Sequence, residues 1–241
     1  MWLEFNNIKI LLDPGPGALI RALQFHKDPG KLDAVIVSHN HLDHYGDSEV
    51  IIEGMTRGMK KERGFLVASE KTLHYISGYH KNKTSIIIPK INEKFTIENK
   101  TGKIDIEPVP TYKHPGCGFK FFTGPGIVTY TADSGYSEEL LKNYNKSKIM
   151  ILNVIFPKSK KIETHLNTES ALKIIKKVKP ELAIIQHFGI QMLNANPEKE
   201  AKYIEQESGV KTIAAKDGMV IDVERADVSD VEEEQLKLNN F

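Results

Sequence analysis

The segment Ser38–His44 concentrates side chains that bind metal ions. It reads Ser-His-Asn-His-Leu-Asp-His and so places four potential ligands within six residues, His39, His41, Asp43 and His44. Three of the nine histidines of the chain lie in this stretch. Imidazole and carboxylate groups suit zinc, manganese or iron, and they are costly to bury together without a coordinating cation. The cluster predicts a metal site, although any one of these histidines alone would be read as an ordinary hydrogen-bonded or exposed residue.

The position of this segment also favours a functional role. It follows directly after the apolar run Ala34–Val37, which has the length and composition of a buried strand. A buried strand that ends in a loop can direct several side chains toward one point, and such loops commonly carry function. We expect the metal ligands to lie at a strand end.

The pattern H-x-H-x-D-H after a strand resembles the signature of the metallo-β-lactamase superfamily. Four further motifs of that superfamily follow the same order along the chain. Their residues are Asp13 in Leu11–Gly17, His114 after the run Ile104–Val109, Asp133 in Tyr130–Gly135, and His187 after Ala183–Gln186. The resemblance extends from residue 3 to about residue 223 and is carried by the order of the motifs more than by any one of them.

The resemblance implies both a fold and a cofactor. The fold is layered α/β, an αββα sandwich of two mixed sheets flanked by helices. The cofactor is a pair of divalent metal ions, for which zinc is expected and manganese or iron are alternatives. Two cations about 3.5 Å apart would lower the pKa of a bridging water and stabilise the oxyanion that develops during hydrolysis.

The resemblance also assigns roles to individual residues. It gives His39, His41 and His114 to one ion, Asp43, His44 and His187 to the second, and Asp133 to both as a bridge. Asp13 would support the metal-binding loop through hydrogen bonds without ligating. The chain departs from the family at its start, because only residues 2 to 12 precede the first motif, which leaves the family's first hairpin in question.

A further histidine, His165, resembles part of the ribonuclease Z and phosphodiesterase branch. That branch has an H-x-T-x-x-x-A element, whereas here Thr168 follows His165 by three positions rather than two. We predict catalytic roles for Asp43 and His165, the latter as general acid for the leaving oxygen. The alternative is a histidine at a helix start that is exposed to water. In favour of the phosphodiesterase branch, a helix N-terminus beside the metals would itself favour an anionic phosphate.

Substrate class follows less directly from the sequence. Lys158, Lys160 and Lys161 lie near His165 and are either phosphate contacts or a solvated loop. The chain has no Gly-rich basic insertion of the kind that transfer-RNA 3′ processing enzymes use to hold their substrate. We therefore predict a metal-dependent hydrolase that cleaves phosphate diesters with a metal-bridging hydroxide, either a phosphodiesterase or a ribonuclease Z-like nuclease, and leave open whether the substrate is a small diester or RNA. A thioester or lactone hydrolase similar to glyoxalase II, an iron oxidoreductase and a non-catalytic binding module are the alternatives.

Strand-sized and helix-like segments alternate around a strand-rich middle, which predicts the same layered architecture. The predicted strands are Ile8–Leu12, Ala34–Val37, Phe65–Ala68, Ser85–Ile88, Ile104–Val109, Ile127–Thr131, Ile149–Ile155 and Leu182–Ile185. The predicted helices are Gly17–Lys27, Ser48–Met59, Glu70–Gly78, Glu138–Tyr144, Thr168–Val178 and Pro197–Glu207.

Composition sets the wider limits. With 40% hydrophobic and 27% charged residues among 241, the chain can bury a substantial core, and we predict one domain over 1–225 and an acidic tail over 226–241 that is helical or frayed. The net charge of +1 gives no overall field that would attract nucleic acid. A single cysteine, Cys117, leaves histidines and carboxylates as the metal ligands.

The sequence contains no signal-like or membrane-spanning stretch, so we expect a cytoplasmic protein with no membrane partner. The resemblance leaves a homodimer open.

Overall fold

The computed structural model describes residues 1–230. These residues form two compact units, Met1–Asp105 and Ile106–Ser229. The acidic run Glu232–Glu234 and the rest of the predicted tail beyond residue 230 lie outside the described residues. The single domain predicted over 1–225 therefore stays a prediction.

The first unit is built on a mixed five-stranded sheet. Its strands follow chain order: β1 Trp2–Phe5, β2 Ile8–Leu12, β3 Ala34–Ile36, β4 Phe65–Val67 and β5 Ser85–Ile87. Strand β1 pairs antiparallel with β2, and the remaining neighbours are parallel. The helices of this unit are α1 Ala18–Gln24, α2 Leu42–Tyr45, α3 Ser48–Met55, α4 Glu70–Leu73 and α5 Gly78–Lys81, with a 3-10 turn at Pro29–Lys31.

Strands β1 and β2 form the hairpin that the sequence left in question. Phe5 pairs with Ile8, so Asn6 and Asn7 alone make the turn. Their φ angles are 51° and 64°, the left-handed conformation that a tight two-residue hairpin requires and that asparagine tolerates. The hairpin is therefore present, and it is short because two asparagines suffice to close it.

Helix α3 covers one face of this sheet. Its residues Ile51, Ile52 and Met55 are fully buried in a core cluster with Val35 and Leu66 of the strands. The spacing of these positions gives the helix a single apolar face. Strand β3 is buried along its whole length, and the segment Ser38–His44 follows one residue after its end.

Strand β7, Lys103–Pro110, carries the chain into the second unit after β6, Phe95–Glu98. The sheet order there is β13-β12-β10-β9-β8-β7, and β11 also pairs with β10. The bounds are β8 Cys117–Phe122, β9 Ile127–Tyr130, β10 Ser147–Phe156, β11 Leu166–Asn167, β12 Leu182–Gln186 and β13 Thr212–Ala214; β14 Met219–Asp222 and β15 Asp227–Asp230 pair with each other. The helices are α6 Thr168–Val178, α7 Ile190–Ala195 and α8 Pro197–Ser208.

The long strand β10 lies at the centre of the second unit. It pairs in parallel with β9 on one side and β12 on the other, so the carboxyl ends of these three strands share one edge. Strand β8 is antiparallel to β9, which makes this sheet mixed as well. Helix α6 packs its buried residues Ala171, Leu172 and Ile175 into the core of this unit. Each unit thus has a mixed sheet with helices, as the layered α/β prediction requires.

Most predicted elements are present with shifts at their ends. Two predicted helices are clearly shorter, since α3 stops at Met55 before the left-handed residue Arg57 and α4 stops at Leu73 rather than Gly78. Two segments differ in kind: Glu138–Tyr144 is a 3-10 helix, and Asp227–Asp230 is a strand rather than the start of a helical tail. No helix among the residues that the structure describes is long and apolar enough to cross a membrane.

Candidate metal-binding residues

The end of β3 delivers the first cluster of candidate ligands, which consists of His39, His41, Asp43 and His44. The rings of His39 and His44 are buried with centroids 4.0 Å apart, and the His41 ring lies 4.6 Å from that of His39. Asp43 Oδ2 lies 3.7 Å from His44 Nε2, and the Asp43 side chain is 61% exposed. The cluster therefore has two buried imidazoles and an exposed carboxylate.

Asp13 connects the beginning of this cluster to its end. Its Oδ1 accepts a hydrogen bond from the Ser38 backbone N–H at 2.6 Å, and its Oδ2 accepts one from Ser38 Oγ at 2.7 Å. The same Oδ2 lies 2.8 Å from His44 Nδ1. One carboxylate at the end of β2 thus fixes both the strand exit and the last histidine.

This network selects the tautomer of two histidines. An ionised carboxylate can only accept, so the Ser38 hydroxyl donates to Asp13 and must accept from His39 Nδ1, 3.0 Å away. His44 Nδ1 donates to Asp13 in the same way. When either ring is neutral, its Nε2 then carries the lone pair, which is the tautomer that binds a metal ion through Nε2.

The turn after Asp13 packs closely against the first cluster. A Cβ on Gly15 would lie 2.0 Å from the Asp43 carbonyl oxygen, so only glycine fits there. The Asp47 N–H donates to the Pro14 carbonyl at 2.8 Å on the same side. The Pro-Gly sequence of this turn is therefore required by contact with the ligand segment as well as by the turn itself.

Strand ends of the second unit supply a second cluster, which consists of His114, Asp133, His165 and His187. Its centre is the buried Asp133 carboxylate, 3% exposed. Asp133 Oδ2 lies 3.9 Å from His114 Nε2 and 3.5 Å from His165 Nε2. Its Oδ1 lies 3.7 Å from His187 Nε2. Three imidazole Nε2 atoms thus surround one carboxylate.

The donor set of the second cluster fits a divalent cation. Ligand atoms of His114, Asp133 and His165 all lie within 4.8 Å of one another. His114 Nδ1 lies 3.1 Å from the Pro115 carbonyl, which can only accept, so Nδ1 is protonated and Nε2 carries the lone pair toward Asp133. Neutral imidazoles around a carboxylate are a set of ligands that zinc and similar ions take.

His165 is not the exposed helix-start residue of the alternative interpretation. Its side chain is only 23% exposed, and its ring centroid lies 4.9 Å from that of His114. Helix α6 begins at Thr168, with Asn167 and Ser170 forming a reciprocal capping box. The Glu200 carboxylate also accepts a short hydrogen bond from Thr168 Oγ1 at this end. The α6 N-terminus is thus already supplied with acceptors, and the geometry gives no support for a phosphate there.

The lysines near His165 contact aromatic rings. Lys158 Nζ lies 4.0 Å from the Tyr203 ring centroid, and Lys160 Nζ lies 5.4 Å from that of Phe156. Lys113, next to His114, forms an ion pair with Glu163, two residues before His165. The hydrogen bond in this pair lowers the pKa of Glu163 and raises that of Lys113.

Left-handed backbone recurs at the turns that carry candidate residues. The φ angles are 50° at Asp13, 53° at Lys113, 53° at Ala132 and 62° at His187. Two of these are candidate residues and the other two directly precede His114 and Asp133. Such conformations cost about 1–3 kcal/mol each outside glycine and persist only where the surroundings impose them, which is common at functional sites.

Sequence reasoning missed two features. Asn153, in the middle of the apolar run of β10, donates to the Asp133 carboxylate, and the only signal for it was a polar residue inside a buried strand. His80 lies in a helix-like or turn segment away from any motif, which predicts a surface residue, but it is only 8% exposed. Its ring lies 2.7 Å from Ser77 Oγ and 3.1 Å from Glu53 Oε1. Cys117 is buried.

We expect Gly135→Ala to disturb the second cluster through the backbone. A Cβ at this position would lie 1.8 Å from the Glu163 carbonyl oxygen, so the segment that leads to His165 must move. Overpacking of this kind costs about 1–3 kcal/mol of stability, and activity should fall more than stability alone explains. Thermal unfolding and activity of the variant, compared with Gly78→Ala, where nothing lies within 4 Å, measure this. A Gly135→Ala protein as active and stable as Gly78→Ala would contradict the close contact.

Comparisons with known proteins agree with these observations. A family model described as "Beta-lactamase superfamily domain" matches residues 9–188. An uncharacterized protein of Methanocaldococcus jannaschii is 31% identical over 235 residues, which cover 92% of this chain and 85% of that protein. The chain therefore belongs to the metallo-β-lactamase superfamily of hydrolases.

Solved structures show the same fold at lower identity. The short form of human tRNase Z superposes with a TM-score of 0.70 and 12% identity, covering 92% of this chain and 91% of that one. A diphosphatase from the PhnP family superposes with a TM-score of 0.67 and 19% identity, covering 90% and 80%. The chain has the metallo-β-lactamase fold, an α/β layered arrangement of mixed sheets and helices, as predicted, and this fold implies binding of divalent metal.

Proposed function

We propose that this protein is a dinuclear-metal-dependent phosphodiesterase. The observation that carries the proposal is the 3.5 Å distance from His165 Nε2 to the buried Asp133 carboxylate. A thioester or lactone hydrolase of this fold needs the metal ligands but has no need of His165. A histidine beyond the implied ligand set that reaches the second cluster therefore favours the phosphodiesterase interpretation.

The proposed ligands are those that the resemblance implies. They are His39, His41 and His114 for one ion, Asp43, His44 and His187 for the other, and Asp133 for both, with zinc as the expected metal. When bound, such ions supply a water of lowered pKa and neutralise negative charge on a phosphoryl oxygen. In His39, His44 and His114, Nδ1 lies next to a hydrogen-bond acceptor. This arrangement leaves Nε2 of each ring to bind a metal ion.

His165 is the proposed general acid. Its Nδ1 lies 2.9 Å from Thr164 Oγ1, which limits rotation of the ring, while Nε2 faces the second cluster. An imidazole held in this way can pass a proton from Nε2 to a leaving oxygen at the cluster. Asp43, exposed on the side of the first cluster, is the other proposed catalytic residue.

Small phosphate diesters are the proposed substrate class, with RNA as the alternative. The similar structures named above are a tRNase and a diphosphatase, and both names refer to cleavage at phosphorus. The net charge of +1 and the packing of Lys158 and Lys160 on aromatic rings support a small substrate over a long polyanion.

Metal content is the first test of the proposal. Elemental analysis of the purified or reconstituted protein should find about two divalent ions per chain, because seven donors exceed the four that a single tetrahedral zinc accepts. The same analysis of protein purified without added metal shows whether the bound ion is zinc or iron. This result tests the oxidoreductase alternative. An apo protein that takes up no ion after reconstitution would contradict the assignment.

An activity screen then tests the substrate class. Zinc- and manganese-loaded protein should hydrolyse bis-p-nitrophenyl phosphate and one or more cyclic nucleotides, and should leave a thioester and a β-lactam intact. His74→Ala is a matched control, since His74 is an exposed histidine outside both clusters. Thioester cleavage without diester cleavage would replace the proposed function with the glyoxalase II-like alternative.

A further inference from the structure

The strand β10 contributes a buried amide to the second cluster. Asn153 is 1% exposed and pairs in register with Gln186, the residue before His187. Two residues earlier in the same strand, Ile151 pairs with Tyr130 of β9. Because β9, β10 and β12 are parallel, Asn153 lies between the strand that delivers Asp133 and the strand that delivers His187. A polar residue in this place is costly unless all its hydrogen bonds are made.

The hydrogen bonds of Asn153 fix its amide in one orientation. Its Nδ2 donates to Asp133 Oδ1 at 2.7 Å and to the Tyr130 hydroxyl at 3.0 Å. Its Oδ1 accepts from Gln186 Nε2 at 2.9 Å. A flipped amide would turn its oxygen toward the Asp133 carboxylate, where two acceptors would repel each other. The network therefore admits a single arrangement.

This arrangement constrains the carboxylate as well. The hydrogen bond from Asn153 holds Asp133 Oδ1 at a set position, from which Oδ1 lies 3.7 Å from His187 Nε2 and Oδ2 lies 3.5 Å from His165 Nε2. Without this hydrogen bond, rotation about the Cβ–Cγ bond of Asp133 would change the distances from its two oxygens to His187 Nε2 and His165 Nε2. Partners that orient a metal ligand affect metal affinity or activity by about 10- to 100-fold.

We propose that Asn153 is a positioning residue that orients the Asp133 carboxylate for metal binding, with Gln186 and Tyr130 holding its amide. This inference rests on the proposed function only in taking Asp133 as a metal ligand. It concerns metal binding itself and does not depend on which substrate is cleaved.

Metal affinity of Asn153→Ala, measured by chelator competition with zinc, is the decisive readout. Ser147→Ala is the matched control, since it removes buried hydrogen bonds to Thr129 and Tyr144 at the opposite end of the same strand. We expect the zinc dissociation constant of Asn153→Ala to rise about 10- to 100-fold and that of Ser147→Ala to stay unchanged, with similar losses of thermal stability in both. At saturating zinc, kcat should fall while KM stays the same.

Gln186→Met provides a second variant of nearly conserved volume if Asn153→Ala does not fold. It removes the donor to Asn153 Oδ1 but leaves the Asn153–Asp133 bond possible, so we expect a smaller rise of the dissociation constant in the same direction. The inference would be overturned if the folded variants bound zinc as tightly as Ser147→Ala does. A wild-type protein that binds no metal would overturn it as well. If the metal-loaded wild-type protein cleaved no diester, only the proposed function would be refuted, because the comparison of zinc affinities tests the role of Asn153 without any substrate.

Discussion

Asp133→Ala should lose metal binding and hydrolysis while the chain still folds. The Asp133 carboxylate lies within 3.9 Å of the Nε2 atoms of His114, His165 and His187. Its removal leaves these imidazoles without the negative charge that helps to hold a cation. We expect activity to fall at least about a thousandfold, equivalent to about 4 kcal/mol of barrier.

The fold should survive because the core of the second unit is apolar. Most of its buried residues come from β10, β12, α6 and α8, and Asp133 is not part of this apolar cluster. The main structural cost is the Asn153 amide left without its acceptor, about 1–3 kcal/mol. Circular dichroism and thermal unfolding measure this beside zinc content by elemental analysis.

Asp133→Asn separates charge from shape in the same position. The amide has nearly the volume of the carboxylate, so it should cost less stability than alanine and yet lose activity to the same extent. Full activity or full zinc content in either variant would show that Asp133 is not the shared ligand. The proposed ligand set of the two ions and the positioning role of Asn153 would then have to be revised.

His165→Ala should slow the cleavage of diesters with poor leaving groups by about two to four powers of ten. The reason is that an alkoxide leaves slowly unless a proton reaches its oxygen, and His165 Nε2 faces the cluster where that oxygen would depart. An activated nitrophenolate needs little protonation, so its cleavage should fall far less. The ratio of the two losses is the diagnostic quantity, because a general defect would lower both rates equally.

Zinc content of His165→Ala distinguishes the role of acid from that of ligand. The proposed acid leaves two ions bound, whereas loss of zinc would make His165 a ligand beside His114 and Asp133, which its distances allow. Thr164→Val is the companion variant, since it removes only the hydrogen bond to His165 Nδ1 and should reproduce a fraction of the effect. Equal losses on both substrates with full zinc content would instead indicate a phosphate-binding histidine.

The first cluster was predictable from sequence because its ligands are local. His39, His41, Asp43 and His44 lie within six residues, so a strand exit followed by one helical turn suffices to bring them together. The strands themselves were predictable where they are short, apolar and bounded by turns, as at β2 and β3. Even the layered architecture follows from the alternation of such runs with helices.

Helix ends and the hairpin were less predictable. The sequence favours a helix to Met59, but α3 ends at Met55 because Arg57 and Met59 take left-handed backbone. The hairpin of β1 and β2 depends on two asparagines that adopt positive φ, a choice that periodicity does not reveal. In both cases backbone conformation at single residues decided the boundary.

Residue types and order by themselves determined which family this chain belongs to and which side chains can bind metal, because ligand chemistry is a property of residues and strand exits are locally encoded. Tertiary structure alone decided that Asn153 reaches Asp133, that Gly135 must have no side chain beneath Glu163, and that His80 is buried. The contacts lie between residues that are far apart in sequence: 20 positions for Asn153 and Asp133, 28 for Gly135 and Glu163, and 27 for His80 and Glu53. Such pairs are set by the packing of strands and loops that are distant in sequence, which no local pattern specifies.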